Sequence, residues 1–543
     1  MLTLVRFRLL AVLLCFSACL AAPFASAQSS VSSADAGTSG GHVVLVLPFD
    51  NRSGQPTYNW IGDSFPDTLN QRLTSAGFLT ITRDDRLFAL DHLGFPAEFR
   101  PTRATSIRIA QTLDADYVIV GSFTVQGEGA TSRIQVQAQV LEVNKLKLSA
   151  PLQDSVELLR LLDIENAMAW RICRQIQPTF SVAQQTFLAA ASGIRLVAFE
   201  NYIRGVDAST AQERVKRLQA ALKDSPTYIA AQLALGKELY AGREFNQAAA
   251  VLAKVPRNDR LALEANFYLG LAHFNSAKYA EAEAAFAFVA TRLPLPEVVN
   301  DQAVAQSRQG RDGTALFQRA SIADPNDSDY HYNLAVSHYR RGDFAAGQRE
   351  VDQTLKLRPT DAEAVELRTL LLAGRAAPAK APGTGFEPTT RLRRTYSETG
   401  FRQAASVIDQ VRALRLATLP PAQQSAELTQ LGRDYLAQGL LPEAENEFHA
   451  AILADPASAA GHAGLAQVRE QSGDAAEARN ESQLALKITP NANAYLVLAR
   501  LDLQANQLAA SALDVQNALR LDPRNPAALG MRQALQARGQ TLP

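Results

Sequence analysis

LGRDYLAQGLLPEAENEFHAAILADP, residues 431–456, is the stretch that decides the fold of most of this chain. Its small residues Gly432 and Ala444 would let two antiparallel helices approach closely, and Phe448 would fill the space between them. Pro456 would end the second helix, because proline lacks the N–H group that a helix interior needs. The stretch therefore predicts a helical hairpin.

The same hairpin recurs with a period of about 34 residues, in a first array over residues 227–359 and a second over 426–523. The aligned pairs are Leu235-Gly236, Leu269-Gly270, Asn300-Asp301 and Leu334-Ala335, then Leu431-Gly432, Leu465-Ala466 and Leu498-Ala499. This pattern resembles the tetratricopeptide repeat (TPR), and the resemblance implies an all-α solenoid that binds other proteins. The copy centred on Asp301 is degenerate and three residues short, and residues 195–226 fit an additional half-repeat.

In TPR solenoids the first helix of each repeat lines the binding groove, so the resemblance implies candidate binding residues in the first array. Counting from the aligned pairs places nine residues there: Leu233, Lys237, Tyr240, Phe267, Leu271, Phe274, Tyr332, Val336 and Tyr339. Aromatic anchors often carry the binding energy of an interface, and an extended or helical peptide segment is the predicted ligand. For each residue, packing between neighbouring repeats is the alternative. The equivalent second-array positions are more polar and predict a different ligand: Arg433, Gln467, Glu470 and Arg500.

Between the arrays, residues 373–398 are rich in alanine, proline and glycine, a composition that disfavours helix and predicts a linker. Two hinged solenoids are therefore expected, array 1 over residues 195–372 and array 2 over 399–543. The linker carries a small basic cluster, Arg391, Arg393 and Arg394. A solvated linker is the default interpretation of this cluster, and a contact with a partner is the alternative.

The part of the chain before the arrays, residues 42–180, predicts a small α/β domain. HVVLVLPF at residues 42–49 is a continuous apolar run, as expected for a strand buried on both faces. A helix over 61–76 and a strand over 78–82 follow, and a strand, a helix and a strand in this order predict a parallel pair. The remaining predicted elements are a helix, a two-stranded hairpin and a closing helix, at 107–113, 116–125 with 134–143, and 156–176.

Two motifs of this domain, VLPFDNRSGQPTYNWIGDSFPDTLNQRL and ADYVIVGSFTVQG, resemble the amino-terminal domain of TolB and its relatives. The resemblance covers residues 42–180. It implies a mixed-sheet, anticodon-binding-like fold that acts by contacting partners in periplasmic and outer-membrane-associated proteins. Since the β-propeller of TolB does not follow here, TolB's own role is not transferred. The expected fold class is α+β overall: a small α/β domain followed by two all-α TPR arrays.

The beginning of the sequence predicts export. A positively charged start, an apolar run over residues 9–22 and the small residues Ala25 and Ala27 indicate a secretory signal peptide over residues 1–27. Residues 28–41 then predict a flexible tether. The expected location is the periplasm, with association with the outer membrane as an option.

The apolar run is too short for a membrane span, which needs about 20 residues, so no transmembrane span is expected. A lipid anchor at Cys19 is the alternative to cleavage after Ala27. Of the three cysteines, only Cys173 lies beyond the signal peptide, so the mature chain has no intrachain disulfide.

Charge and motifs exclude several function classes. The 54 Lys and Arg residues balance the 54 Asp and Glu residues, so the basic field of a nucleic-acid binder is missing. The sequence contains no HExxH motif, Walker loop or CxxC pair, and no catalytic, cofactor-binding or metal residues are assigned. Asp50, Asn51 and Asp63 lie near the end of the first strand, but turn formation and a helix start explain them without catalysis or metal binding.

The sequence therefore predicts a non-enzymatic scaffold or adaptor of the bacterial periplasm. It would bind other envelope proteins or peptide segments through its TPR grooves and would need no cofactor. One alternative is a regulator of an envelope enzyme or transport machine that acts through the α/β domain. A second alternative, from a different class, is a hydrolase that uses the α/β cleft near Asp50.

Overall fold

The structure, a computed structural model, describes residues 42–96, 99, 101–127, 131–189, 193–374, 387–394 and 398–542, without the side chains of 398–406. The predicted signal peptide, Cys19, the tether over 28–41 and most of the predicted linker therefore lie outside the described residues. In the described part of the chain, no helix is both long and apolar enough to cross a membrane. A mixed-sheet domain is followed by a helical repeat region, which confirms the α+β class.

A mixed sheet forms the centre of the first domain. Its strands run in the spatial order β3-β1-β4-β5-β6, β2 extends along β4, and β7 pairs with β5. Strand β1 is parallel to β3 and β4, and β4 and β5 form the predicted antiparallel hairpin. The strands are β1 (Val43–Val46), β2 (Asp50–Asn51), β3 (Leu79–Thr80), β4 (Tyr117–Gln126), β5 (Arg133–Glu142), β6 (Lys147–Leu148) and β7 (Leu152–Glu157).

Helices cover both faces of this sheet, which is why the β1 sequence is apolar throughout. Val44 and Val46 point into a core shared with α1 and α4, whereas Leu45 packs in a second core shared with α2 and α3. The domain's helices are α1 (Asn59–Ser75), α2 (Arg83–His92), α3 (Arg103–Thr112), α4 (Leu161–Ile176) and α5 (Gln184–Ala189). Cys173 of α4 is fully buried in the first core, where burial raises the pKa of its thiol.

The closing helix of the domain is shorter than the sequence predicts. Residues 156–176 were expected to be helical, but residues 152–157 form β7, whose backbone pairs with β5 from Ala138 to Arg133. The helix therefore begins at Leu161. Hydrogen bonds to an otherwise unpaired strand outweigh local helix propensity here, because an edge strand leaves backbone groups without partners.

A buried carboxyl group, Glu165, joins α4 to α1. It accepts hydrogen bonds from the hydroxyl groups of Ser64 and Thr68, the latter at 2.6 Å. Burial raises the pKa of Glu165 to about 8, although both hydrogen bonds lower it. The folded protein therefore holds this group in its neutral form at pH 7.

We expect Glu165→Gln to be more stable than the parent at pH 9 and nearly equal to it at pH 5. The pKa of Glu165 is raised in the folded state above the unfolded value of about 4.3. The stability that it contributes is complete below that value and is lost as the pH rises through about 8. Glutamine mimics the neutral acid and cannot ionise.

Urea unfolding at pH 5, 7 and 9 measures this effect. The only two tryptophans of the sequence, Trp60 and Trp170, lie in the α/β domain and report on it by fluorescence. The matched control is Glu157→Gln, since Glu157 is exposed. Parallel pH profiles for Glu165→Gln and the parent would contradict the assignment.

The rest of the described chain consists of antiparallel helix pairs. The first array contains α6 (Leu196–Asp207), α7 (Ala211–Asp224), α8 (Ile229–Ala241), α9 (Phe245–Leu252), α10 (Ala262–Asn275), α11 (Tyr279–Arg292), α12 (Pro296–Arg308), α13 (Thr314–Ala323), α14 (Ser328–Arg340), α15 (Phe344–Leu357) and α16 (Ala362–Leu372). The second contains α17 (Glu398–Ala417), α18 (Pro421–Ala437), α19 (Leu441–Ala454), α20 (Ala459–Gln471), α21 (Ala475–Ile488), α22 (Ala492–Gln504), α23 (Leu508–Leu521) and α24 (Pro526–Ala537).

Small residues allow these helices to pack around buried rings, as in the hairpin of α18 and α19. Phe448 is fully buried beside Gly432 of α18 and Gly464 of α20. A Cβ atom added at these glycines would lie 2.7 and 2.2 Å from a ring carbon of Phe448. Gly270 faces Phe286 in the same way in the first array. Each glycine is therefore required by close approach of a neighbouring side chain.

The second array also contacts the α/β domain directly. The backbone N–H of Ala183 donates to Glu445 of α19 at 2.8 Å, and Arg469 of α20 donates to the same carboxylate at 2.8 Å. Arg469 also donates to Thr186 of α5 at 3.3 Å. The sequence interpretation of two arrays joined by a hinge did not include this contact.

Candidate functional site

An extended segment from the predicted linker, residues 387–394, lies against the first array, and we call it the docked segment. The side chain of Asn333 pairs with the main chain of Arg391: its Oδ1 accepts from the Arg391 N–H at 2.6 Å, and its Nδ2 donates to the Arg391 carbonyl at 2.8 Å. Asn300 Nδ2 donates to the same carbonyl at 3.1 Å. This corrects the expectation of a solvated linker for Arg391 and Arg393, which the array holds, whereas Arg394 of the same cluster is exposed.

Further main-chain contacts lie on either side of this pair. The Arg393 N–H donates to Asp301 Oδ1 at 2.8 Å, and Arg340 donates to the carbonyl of Pro388 at 2.9 Å. Burial raises the pKa of Asp301 well above its usual range, against the hydrogen bonds from Arg393 and Asn300. The surface of α12, α14 and α16 that contacts the docked segment is called the first groove below.

The side chain of Arg391 is held by three carboxylates at one end of the first groove. Its guanidinium group donates two parallel hydrogen bonds to Asp361, at 2.7 and 2.8 Å, and others to Asp329 at 2.8 Å and Glu363 at 2.7 Å. The group also lies 3.7 Å from the centre of the Tyr332 ring, a cation–π distance. Paired parallel bonds of this kind select arginine over lysine.

These contacts favour the charged forms of both Arg391 and Asp361. Burial alone would lower the pKa of Arg391, but its hydrogen bonds to Asp361, Glu363 and Asp329 outweigh burial and raise it. The hydrogen bonds from Arg391 hold the pKa of Asp361 below its usual range. The first groove is therefore built around a cation at this position.

The next two residues continue the alternation of an extended chain. Leu392 packs against two apolar clusters of the array, one containing Tyr330 and the other Leu334. Arg393 forms ion pairs with Asp327 and Asp329 and lies 5.4 Å from the Tyr330 ring. The docked segment thus places an apolar side chain between two arginines, and each of the three has its own subsite.

Three stretches of the chain match a family model described as a tetratricopeptide repeat: residues 233–293, 301–362 and 429–493. These stretches are tetratricopeptide repeats. The second stretch begins at Asp301 within α12 and includes Asn333 of α14, and Asn300 lies immediately before it. No functionally curated protein matches the sequence.

Solved structures resemble parts of the chain. A MamA fragment from Desulfovibrio magneticus RS-1 is 16% identical, and the match covers 31% of this chain and 99% of that one with a TM-score of 0.29. A TPR protein from Parabacteroides merdae is 12% identical over 62% of this chain and 97% of its own, with a TM-score of 0.22. The C-terminal domain of LpoB from Escherichia coli is 24% identical over 23% of this chain and 87% of its own, with a TM-score of 0.19.

The nine residues predicted for the TPR groove occupy three kinds of position. Five are almost or fully inaccessible between helices: Leu233, Phe267, Leu271, Val336 and Tyr339. Lys237 forms an ion pair with Glu264 at 2.7 Å, and Tyr240 and Phe274 are half-buried. Tyr332 is fully buried as well, and its ring faces Arg391 of the docked segment. The five inaccessible residues therefore occupy the position that the alternative interpretation gave them, packing between neighbouring repeats.

The polar residues that hold the docked segment were missed in the sequence. Asn300 and Asp301 stand where the other repeat copies have a Leu-Gly or Leu-Ala pair, and the sequence interpretation treated them only as degeneracy. Both side chains are fully buried, as is Asn333. Polar residues at a packing position of a repeat were the available signal, since a repeat core does not need them.

The second array has an open groove of its own, with a cavity of about 610 Å³. Its lining is polar, as expected, and includes Arg433, Gln467, Glu470, Arg500 and Gln504. Arg500 forms two hydrogen bonds to Glu470, one of 2.5 Å from its Nε atom. The two grooves thus differ in chemistry, because acidic groups dominate the first and a cation–anion pair the second.

Of the residues considered for catalysis in the α/β domain, Asp50 and Asn51 form β2 and Asp63 lies in α1. Asn51 accepts a hydrogen bond from the Ser53 N–H at 2.9 Å and donates to the Gln55 carbonyl at 2.9 Å. It also donates to Asn59 at the start of α1, at 2.8 Å. Within the described ranges, no group of three or more His, Cys, Asp and Glu residues is placed to hold a metal ion.

Proposed function

We propose that this protein is an exported scaffold of the bacterial cell envelope, in which each TPR array holds a different partner. The TPR stretches support a role in protein–protein interaction. The observation that carries the proposal is that Asn333, Asn300 and Asp301 bind the main chain of an extended peptide. A repeat array that pairs with backbone groups can hold a segment of another protein in the same way.

The ligand of the first groove is an extended segment rather than a helix. In a helix the N–H and C=O groups of an interior residue are used by the helix itself. Asn333 binds both groups of one residue, so its ligand must have an extended backbone. Main-chain hydrogen bonds of this kind provide affinity, and the side-chain subsites provide specificity.

Export is proposed from the sequence pattern of residues 1–27, and lipidation at Cys19 is the alternative route to the envelope. The resemblance of residues 42–180 to the amino-terminal domain of TolB favours a periplasmic role for the α/β domain. The α/β domain contacts the second array through Glu445 and Arg469, and the first groove does not take part in this junction. This supports separate binding roles for the two arrays.

The scaffold proposal is tested by affinity capture from gently crosslinked envelope extract. The bait is the tagged mature chain with residues 387–394 replaced by eight glycine and serine residues, so that the first groove is open. The matched bait carries Asn300→Ala and Asn333→Ala in addition. We expect the first bait to retain one or more envelope proteins that the second loses.

Circular dichroism must show that both baits keep their helical content, since both asparagines are buried. A further bait with Arg349→Ala, an exposed residue of α15, controls for nonspecific loss. The proposal fails if the open-groove bait retains no envelope protein, or if the asparagine variant retains the same proteins.

A further inference from the structure

Resting on the proposed function, we infer that the partner of the first groove inserts an extended segment with an arginine–aliphatic–arginine triplet, and that residues 387–394 are its tethered competitor. The docked segment shows which side chains the subsites accept, because Arg391, Leu392 and Arg393 occupy them. The partner is thus a protein with an extended basic segment, and the protein regulates access to its own site.

The charge of the first groove favours a basic ligand. Four carboxylates, those of Asp327, Asp329, Asp361 and Glu363, contact two arginines of the docked segment. Arg358 of the array also pairs with two of them, at 3.1 Å from Asp329 and 3.5 Å from Asp361. Without the two arginines of the docked segment the four negative charges would lie together with fewer cations nearby, and like charges at close range repel each other. A neutral or acidic segment would leave more of this repulsion uncompensated, so the groove favours a basic segment over either.

The subsites select the order of the ligand's side chains as well as their charge. The paired hydrogen bonds to Asp361 fit the planar fork of an arginine, and the Tyr332 ring stacks on its face. One residue later the groove offers apolar contacts for Leu392, and two residues later it offers Asp327. Because successive side chains of an extended chain point in opposite directions, a peptide with the same residues in another order cannot fill all three subsites.

The contacts of the docked segment suit an exchangeable ligand. Pro388 and Thr390 are buried and Leu392 packs against apolar clusters, but Arg391 and Arg393 are held by polar contacts, and Glu363 and Arg393 remain 53% and 33% exposed. Ion pairs of partly exposed groups are weaker than core packing. The covalent connection adds to the hold of these contacts, since only 14 residues, 373–386, lie between the segment and α16. A short tether gives an effective concentration in the millimolar range.

The test is a titration of a fluorescent peptide with the sequence of residues 388–395, PTTRLRRT, against the full mature chain. The variant is Arg391→Glu, which places a negative charge against Asp361, Glu363 and Asp329 and so expels the segment. The matched control is Arg394→Glu, the same charge change at an exposed residue of the same segment. We expect the peptide to bind Arg391→Glu at least about tenfold more tightly than the parent or the control.

Two further measurements test whether the groove recognises the order of the residues and whether the peptide displaces the docked segment. A peptide with the same residues in scrambled order should bind Arg391→Glu at least about tenfold more weakly than PTTRLRRT, a factor that one bidentate arginine contact can supply. In the unmodified parent, the N–H groups of Arg391 and Arg393 are hydrogen-bonded and should exchange slowly with deuterium. Excess PTTRLRRT should accelerate their exchange by displacing the docked segment, and this readout does not depend on a variant.

Each contrary result has a separate meaning. Equal affinity for the parent and Arg391→Glu, with unchanged exchange at Arg391, would refute the competitor and leave the scaffold proposal intact. Equal binding of the scrambled peptide would refute the triplet and show attraction by charge alone. If PTTRLRRT binds no form of the protein, the inference is refuted, and the capture experiment with the open-groove bait then decides the scaffold proposal independently.

Discussion

Arg469→Met should lower the free energy of unfolding by about 3–5 kcal/mol, because it leaves the carboxylate of Glu445 buried without its cation. Glu445 is fully inaccessible and Arg469 is 8% exposed, so water cannot take the place of the lost partner. The backbone N–H of Ala183 would remain as a donor at 2.8 Å, and His449 Nε2 lies 3.4 Å from the same carboxylate oxygen. Neither replaces the hydrogen-bonded guanidinium group as a partner of the buried charge. Methionine has a similar length and creates little empty space.

The measurement is urea unfolding followed by circular dichroism for the helices and by tryptophan fluorescence for the α/β domain. Arg433→Met is the matched control, since Arg433 is exposed and should change stability by less than about 0.5 kcal/mol. Adding Glu445→Gln to Arg469→Met removes the stranded charge and keeps an acceptor for Ala183. It should recover at least about half of the loss. Equal unfolding midpoints for Arg469→Met and Arg433→Met would refute the buried pair.

Phe448→Ala should destabilise the second array by about 3–5 kcal/mol, the usual cost of truncating a buried phenylalanine. Its ring fills the space that Gly432 and Gly464 leave between α18, α19 and α20. The helices cannot close the cavity fully, because the pair of Glu445 and Arg469 also fixes the position of α19 relative to α20.

Thermal unfolding followed by circular dichroism measures this loss. The control is Leu453→Ala on the same helix, because Leu453 is 85% exposed and should change stability by less than about 0.5 kcal/mol. Gly464→Val should be destabilising as well, since its added Cβ would overlap the Phe448 ring. If Phe448→Ala unfolds at the same temperature as Leu453→Ala, the ring does not hold these three helices together.

The repeat region could be predicted because its contacts are local in sequence. Phe448 meets Gly432 and Gly464, each 16 residues away, so the spacing of small and large residues along the chain carries the packing directly. Strand β1 was predicted for a similar reason, since a strand covered on both faces is apolar at every position. Strand β7 was not predicted, because its pairing with β5 determines its conformation and its own sequence pattern does not.

The residues of the candidate site, in contrast, could not be predicted from contacts that are local in sequence. Five of the nine residues predicted to line a TPR groove pack between helices, because a sequence position does not distinguish a side chain that faces solvent from one that faces the next repeat. The residues that bind the docked segment are polar. Asp327 and Asp361, and likewise Asp329 and Glu363, are 34 residues apart, a repetition that the pattern of apolar and small residues does not show. The contact of Asp301 with Arg393 joins residues 92 positions apart.

The sequence by itself determined the α+β class, the repeat period and the helices that make each hairpin, because these depend on contacts between near neighbours in the chain. Only the tertiary structure decided that residues 387–394 occupy the first groove and that Glu445 and Arg469 join the second array to the α/β domain. Both depend on single polar groups brought together from distant positions. Their hydrogen bonds form only when the fold sets distance and direction together.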